Sequence, residues 1–130
     1  MTVRTRRVLF GVGLVFALAL AANGLLGGAN QLPASRTAGE HLQTYAQFVF
    51  GTCGVLLPVA ILTRRFVRMA VVCWTVALTV AGATAPVVWA GSSAIIGVVS
   101  GVASAAVALG IAWLLWAGAA RGADAIDSTT

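Results

Sequence analysis

At 130 residues, 60% hydrophobic and only 8% charged, the chain lies far from the soluble average of about half apolar and a quarter charged. A transmembrane helix takes about 20 apolar residues, so four spans fill this length and a separate soluble catalytic domain is excluded. The net charge of +5 does not point to nucleic acid. All eight basic residues are arginine, and all but Arg36 fall in groups at the ends of apolar runs, which is a topology signal.

The pattern predicts an all-α polytopic membrane protein, four transmembrane helices in an antiparallel up-down bundle. A single domain over residues 1–121 holds helices at about 8–27, 38–62, 66–88 and 93–118, and residues 122–130 read as a disordered cytoplasmic tail.

Arg4, Arg6 and Arg7 precede an apolar run from Val8 to about Leu26. Ala19-Leu20-Ala21 fits a signal-peptide cleavage pattern, but the run continues past it into more membrane protein, which favours a retained first helix. Gly24 and Gly28 stand at GxxxG spacing, where small residues let helices approach closely. Gly27 to Gly39 reads as the longest loop, and Thr37-Ala38-Gly39-Glu40 as a capping box that opens helix two.

Helix two has an unusually polar outer half. At 100° per residue Glu40, Gln43, Thr44, Gln47, Gly51, Gly54 and Pro58 share one face, while His41, Tyr45, Phe48 and Thr52 point elsewhere. The candidate ligand pocket is therefore walled by Gln43, Thr44, Tyr45 and Gln47 above Gly51 and Gly54, with Thr79 and Trp89 added from helix three. Amides in such a place orient a quinone, a lipid headgroup or a small polar ligand, or they bond across helices. The second role is the preferred one.

Thr63-Arg64-Arg65-Phe66-Val67-Arg68 is a three-arginine knot between two apolar runs and reads as a tight turn at the membrane surface. After helix three, Trp89 suits an interfacial belt and Trp89-Ala90-Gly91-Ser92 a very short connection, so helices three and four should be antiparallel neighbours. Helix four carries Ser93, Gly97, Gly101 and Ala105 at four-residue spacing, with Ser100, Ser104 and Ala108 alongside. This row signals close packing against helix one, helix two or another subunit. Trp113 and Trp116 mark the second interface.

Arg4, Arg6, Arg7, Arg64, Arg65, Arg68 and Arg121 fall on one side and Arg36 on the other, so the positive-inside rule places both termini in the cytoplasm. The absence of lysine, with abundant Ala, Gly and Val, suggests a bacterial source and its cytoplasmic membrane.

No cofactor or metal site is expected, because one histidine, His41, and no paired acid or thiolate spacing cannot build a ligand cage. Cys53 and Cys73 sit inside apolar spans as small hydrophobes. Glu40 lies at the outer edge, whereas proton-coupled export needs a carboxylate well inside the membrane; it reads as a helix cap.

Arg7-Val8-Leu9 leading into a glycine-bearing helix, and Ile61-Leu62-Thr63-Arg64-Arg65 followed at once by a third apolar span, resemble the small DoxX-type membrane proteins. The resemblance implies a four-helix integral membrane protein, with some family members associated with membrane redox complexes. It transfers no active residue, since Asn23-Gly24 stands where the family often has a lysine. The leading functional expectation is a non-enzymatic accessory or self-associating subunit whose partners are the lipid bilayer and a second copy or another membrane subunit. The alternative is a binder or transporter of a lipid- or quinone-like ligand in the outward-facing pocket.

Overall fold

The computed structural model describes residues 2–119. It consists of four long helices, α1 (Val3–Gln31), α2 (Ala38–Thr63), α3 (Val67–Ala90) and α4 (Ala94–Ala119), with a single 3₁₀ turn at Leu32–Ala34. No strand occurs among the described residues. At about 1.5 Å per residue even α3 is roughly 36 Å long, more than the ~30 Å hydrocarbon core of a bilayer. All four helices are long and apolar enough to cross a membrane, and the protein is an integral membrane protein of four helices. Arg121 and the tail at 122–130 lie outside the described residues.

The apolar side chains face outward in large numbers. Val15 is 67% exposed, Val102 65% and Ile95 75%. Such a surface is untenable in water and ordinary in lipid.

The boundaries differ most from the sequence expectation at α1, and by one or two residues at the end of α2 and at both ends of α3 and α4. Helix α1 is longer at both ends than 8–27. At its start Thr2 serves as N-cap, its hydroxyl accepting the Thr5 N–H at 3.1 Å, so Arg4, Arg6 and Arg7 ride on the first turns. At its end the helix runs through Gly27 and Gly28 to Gln31 despite their poor helix propensity. Packing explains this: a Cβ at Gly24 would lie 2.7 Å from the Gln47 carbonyl oxygen, and one at Gly28 3.1 Å from the Phe48 ring. Glycine is what lets α2 lie against this turn. Helix α3 begins at Val67, after 66, because Phe66 adopts a left-handed conformation with φ 57°. The start of α2 is as expected, with the Thr37 hydroxyl accepting the Glu40 N–H at 3.2 Å.

Each helix packs on its chain neighbours, α4 closes back onto α1, and the diagonal pair α2 and α4 barely touch. Short connections between antiparallel helices produce this square ring. Its core is assembled from Ala17 of α1, Leu57 and Ile61 of α2, Trp74 of α3, and Ala108 and Leu115 of α4.

Trp74 is fully buried and is the largest side chain in that core. Its indole N–H donates to the Ala108 carbonyl of α4 at 3.0 Å, while its ring faces Gly54 of α2, where an added Cβ would lie 3.2 Å away. One side chain thus joins three helices. Trp74→Phe is expected to lower stability by about 1–2 kcal/mol through the lost hydrogen bond and reduced packing, and Trp74→Ala by roughly 3–5 kcal/mol through the cavity. Equilibrium unfolding in mixed detergent micelles, followed by circular dichroism, measures both.

Candidate functional site

The polar end of α2 forms a hydrogen-bonded cluster, beside which Gln31 Oε1, His41 Nδ1 and Gln47 Oε1 are buried without partners. Gln43 is 1% exposed and Thr44 fully buried, although both lie in a membrane helix. The Gln43 side-chain oxygen accepts the Trp89 indole N–H at 2.9 Å, tying α2 to α3. The Thr44 and Ser35 hydroxyls lie 2.7 Å apart, and Ser35 donates to the Gln31 carbonyl at the end of α1 at 2.8 Å. These bonds knit the loop after α1 to the helix after it. Orphan carbonyls at a helix terminus need such partners when water is scarce.

Of the six residues expected to line a pocket, the structure brings Gln43 and Trp89 together as a bonded pair and buries Thr44 against Ser35. Gln47 lies over α1, where a Cβ at Gly27 would meet its side-chain oxygen at 2.5 Å; that buried oxygen has no hydrogen-bond partner. Gly51 and Gly54, the expected floor, are covered: a Cβ at Gly51 would lie 3.1 Å from the Ala21 carbonyl oxygen, and one at Gly54 2.9 Å from that of Ala17. Two residues do not belong. Tyr45 is 57% exposed on the outer face and stacks on His41, with ring centroids 6.1 Å apart. This follows from the helical wheel, which already set Tyr45 with His41 and away from Gln43. Thr79 donates to the Thr75 carbonyl of its own helix at 2.6 Å and its backbone carbonyl lies towards Gly101 of α4. Gln43, Thr44 and Trp89 are thus spent on bonds between elements of the bundle, and Gln47 is packed against α1.

The small-residue row of α4 packs on α3, a partner the sequence reading had not singled out. A Cβ at Gly97 would lie 3.0 Å from the Ala83 carbonyl oxygen, and one at Gly101 2.9 Å from the Ala83 Cβ. Ser100 donates to the Gly82 carbonyl at 2.6 Å, and Ser104 sits against Gly82 so tightly that a side chain there has no room. Ala105, on the same row, is half-buried. The row is therefore used inside the protomer and is not a free surface for a second copy.

Arg4, Arg6 and Arg7 stand at the start of α1 and Arg64, Arg65 and Arg68 at the α2–α3 turn, which are the same end of an up-down bundle. Arg36 and Glu40 stand at the other end. Among the described residues no three His, Cys, Asp or Glu side chains come together in a way that could hold a metal ion.

An open-sided groove of about 460 Å³ lies between α2 and α3 next to the arginine turn, with Cys53, Leu56 and Ala60 on one wall, Met69, Ala70 and Cys73 on the other, and Arg65 and Phe66 at its end. Neither this groove nor the role of Trp74 was read from the sequence. For Trp74 a signal existed: a tryptophan in mid-span, away from both interfaces, needs a partner for its N–H.

These features define a polytopic membrane protein with a hydrogen-bonded cluster at one end and a basic, grooved turn at the other. No protein-family model, curated protein or solved structure matches the chain.

If the outer cluster is interhelical glue, Ser35→Ala and Thr44→Val should each destabilise the fold. Their double-mutant cycle should return a coupling of about 0.6 kcal/mol, and no more than ~1.7, in the range measured between membrane helices. Tyr45→Ala should stay within about 0.5 kcal/mol of wild type. Unfolding midpoints in micelles read all four proteins.

Proposed function

We propose that this protein is a non-enzymatic accessory subunit of a bacterial cytoplasmic membrane, with α1 retained and both termini in the cytoplasm. It acts on another membrane protein through its lipid-facing surface. The observation that carries this reading is the consumption of interior polar groups by the bundle itself. Gln43 is bonded to Trp89, Thr44 to Ser35, Trp74 to Ala108 and Ser100 to Gly82. A binding or catalytic centre keeps convergent polar groups available to a ligand. Among the described residues the buried side-chain polar atoms left without a partner are Gln31 Oε1, His41 Nδ1, Gln47 Oε1 and Thr75 Oγ1, and they include no acid, thiol or amine. The DoxX-type resemblance, carried by Arg7-Val8-Leu9 and Ile61-Leu62-Thr63-Arg64-Arg65, is in keeping with a four-helix subunit of a larger complex.

Orientation rests on the arginine count at the two ends. Alkaline phosphatase fused after Ser92 should be active, as it is only outside the cytoplasm, and inactive when fused after Arg65. The reverse pattern overturns the proposed topology.

The subunit reading is tested by extracting a tagged copy from native membranes into nanodiscs and identifying co-purifying proteins by mass spectrometry. A stoichiometric membrane partner is expected. Its retention should survive Gln43→Ala with Gln47→Ala and also Gly101→Leu once folded material is selected, because α4 turns that glycine towards α3. A protomer that purifies alone, or as a homo-oligomer disrupted by Gly101→Leu, overturns the reading.

A further inference from the structure

The groove between α2 and α3 lies at the arginine end of their seam. Close helix approach elsewhere depends on glycine: Gly24, Gly51 and Gly54 between α1 and α2, Gly82, Gly97 and Gly101 between α3 and α4, and Gly13 and Gly118 between α1 and α4. Residues 55–63 and 67–81 contain no glycine, and most of the groove's lining comes from these stretches. From Cys53 to Thr63 the groove follows about 15 Å of helix, half of the ~30 Å hydrocarbon thickness. Its depth is that of one lipid leaflet.

The mouth of the groove is chemically different from its walls. Arg65 lines it, and Arg64 and Arg68 stand exposed beside it. Glu40, the one acid among the described residues, is at the opposite end of α2. The N terminus of α3 also opens here. Its N-cap is Phe66, which has no side-chain oxygen to satisfy the first helical N–H groups. A positive helix terminus without a cap, next to a guanidinium, is a favourable setting for a phosphate.

The backbone holds this arrangement against its own preference. Arg64 has φ 58° and Phe66 φ 57°, left-handed values that L-residues rarely adopt. The turn closes α2 in a Schellman motif, with Arg64 N–H bonded to the Ile61 carbonyl at 3.3 Å and Arg65 N–H to the Ala60 carbonyl at 3.2 Å. Glycine is the usual residue at that left-handed position, and Gly91 fills the corresponding one after α3. At the α2–α3 turn the position carries a charge instead.

We propose that this groove binds one anionic phospholipid from the leaflet at the arginine end. An acyl chain lies along Leu56, Ala60, Met69 and Cys73, and the phosphate rests between Arg65 and the N terminus of α3. The assignment is independent of any protein partner and of the hydrogen-bonded cluster at the other end.

The test is reconstitution of the full chain into nanodiscs of equal parts phosphatidylglycerol and phosphatidylcholine, followed by native mass spectrometry of the released protein. Wild type should retain one phosphatidylglycerol per chain in preference to phosphatidylcholine. Arg65→Gln, at an exposed turn, should reduce that retention at least five-fold, and Arg36→Gln should leave it unchanged. Cys73→Phe fills the groove from an exposed position without touching the charged turn and should reduce it similarly, with helicity by circular dichroism confirming the fold. Equal retention of both lipids, or undiminished phosphatidylglycerol in Arg65→Gln and Cys73→Phe, overturns the proposal, as does a protein helix found crosslinked into the groove in native membranes.

Discussion

The hydrogen bond from the Trp74 indole to the Ala108 carbonyl is the constraint on which the interior is built. No water in hydrocarbon can satisfy a buried N–H, and leaving one unpaired costs several kcal/mol. The bulky ring must therefore sit where a carbonyl is within reach, at the centre of the ring of helices. Gly54 supplies the space on α2, and Ala17 and Ala21 of α1 come close to the same glycine. Small residues on α1 and α2 make room for the ring, which shares the core with Leu57, Ile61 and Leu115.

Glycine placement then decides where the bundle is tight and where it is not. Lipid competes with helix surfaces on nearly equal terms for apolar contact, so association in a membrane depends on close backbone approach and on hydrogen bonds between helices. Close approach occurs at the α1–α2 seam through Gly24 and Gly51, and at the α3–α4 seam through Gly97 and Gly101 together with the Ser100 bond to Gly82. At the α2–α3 seam Trp74 rests against Gly54 and the Gln43–Trp89 bond ties the end opposite the arginine turn, while the glycine-free stretch nearer that turn carries the groove. The groove is the consequence of that uneven distribution.

The helices, their order and the end of the bundle that the arginine groups at α1 and at the α2–α3 turn share were legible because they depend on runs of like residues, which a linear sequence displays directly. The capping role of Thr37 was legible for the same local reason. The ends of α1 were not, because Gly27 and Gly28 are weak helix formers whose state is decided by the Gln47 and Phe48 side chains some twenty residues on. Nor was the partner of the α4 row, since spacing shows that a face is small without showing what lies on it. The polar stripe of α2 was visible, but its satisfaction was not: Gln43 needed Trp89 from α3, and Thr44 needed Ser35 from a loop. Tyr45 was the avoidable error, because the wheel alone places it with His41.

The arginine turn shows how one short segment can meet two demands. With only Arg64, Arg65 and Phe66 between α2 and α3, the chain must reverse in three residues, and it does so with left-handed conformations at the first and third. Glycine at those positions would relieve the backbone, as Gly91 does at the next turn, but would remove a charge at one and a bulky apolar anchor at the other. Arginine at the end of an apolar span resists being drawn into hydrocarbon, which fixes where the chain surfaces. Phenylalanine beside it, 75% exposed, offers its ring to the lipid side of the same boundary. The strained backbone thus holds a guanidinium and an aromatic ring at one level of the membrane, next to the seam that glycine does not close.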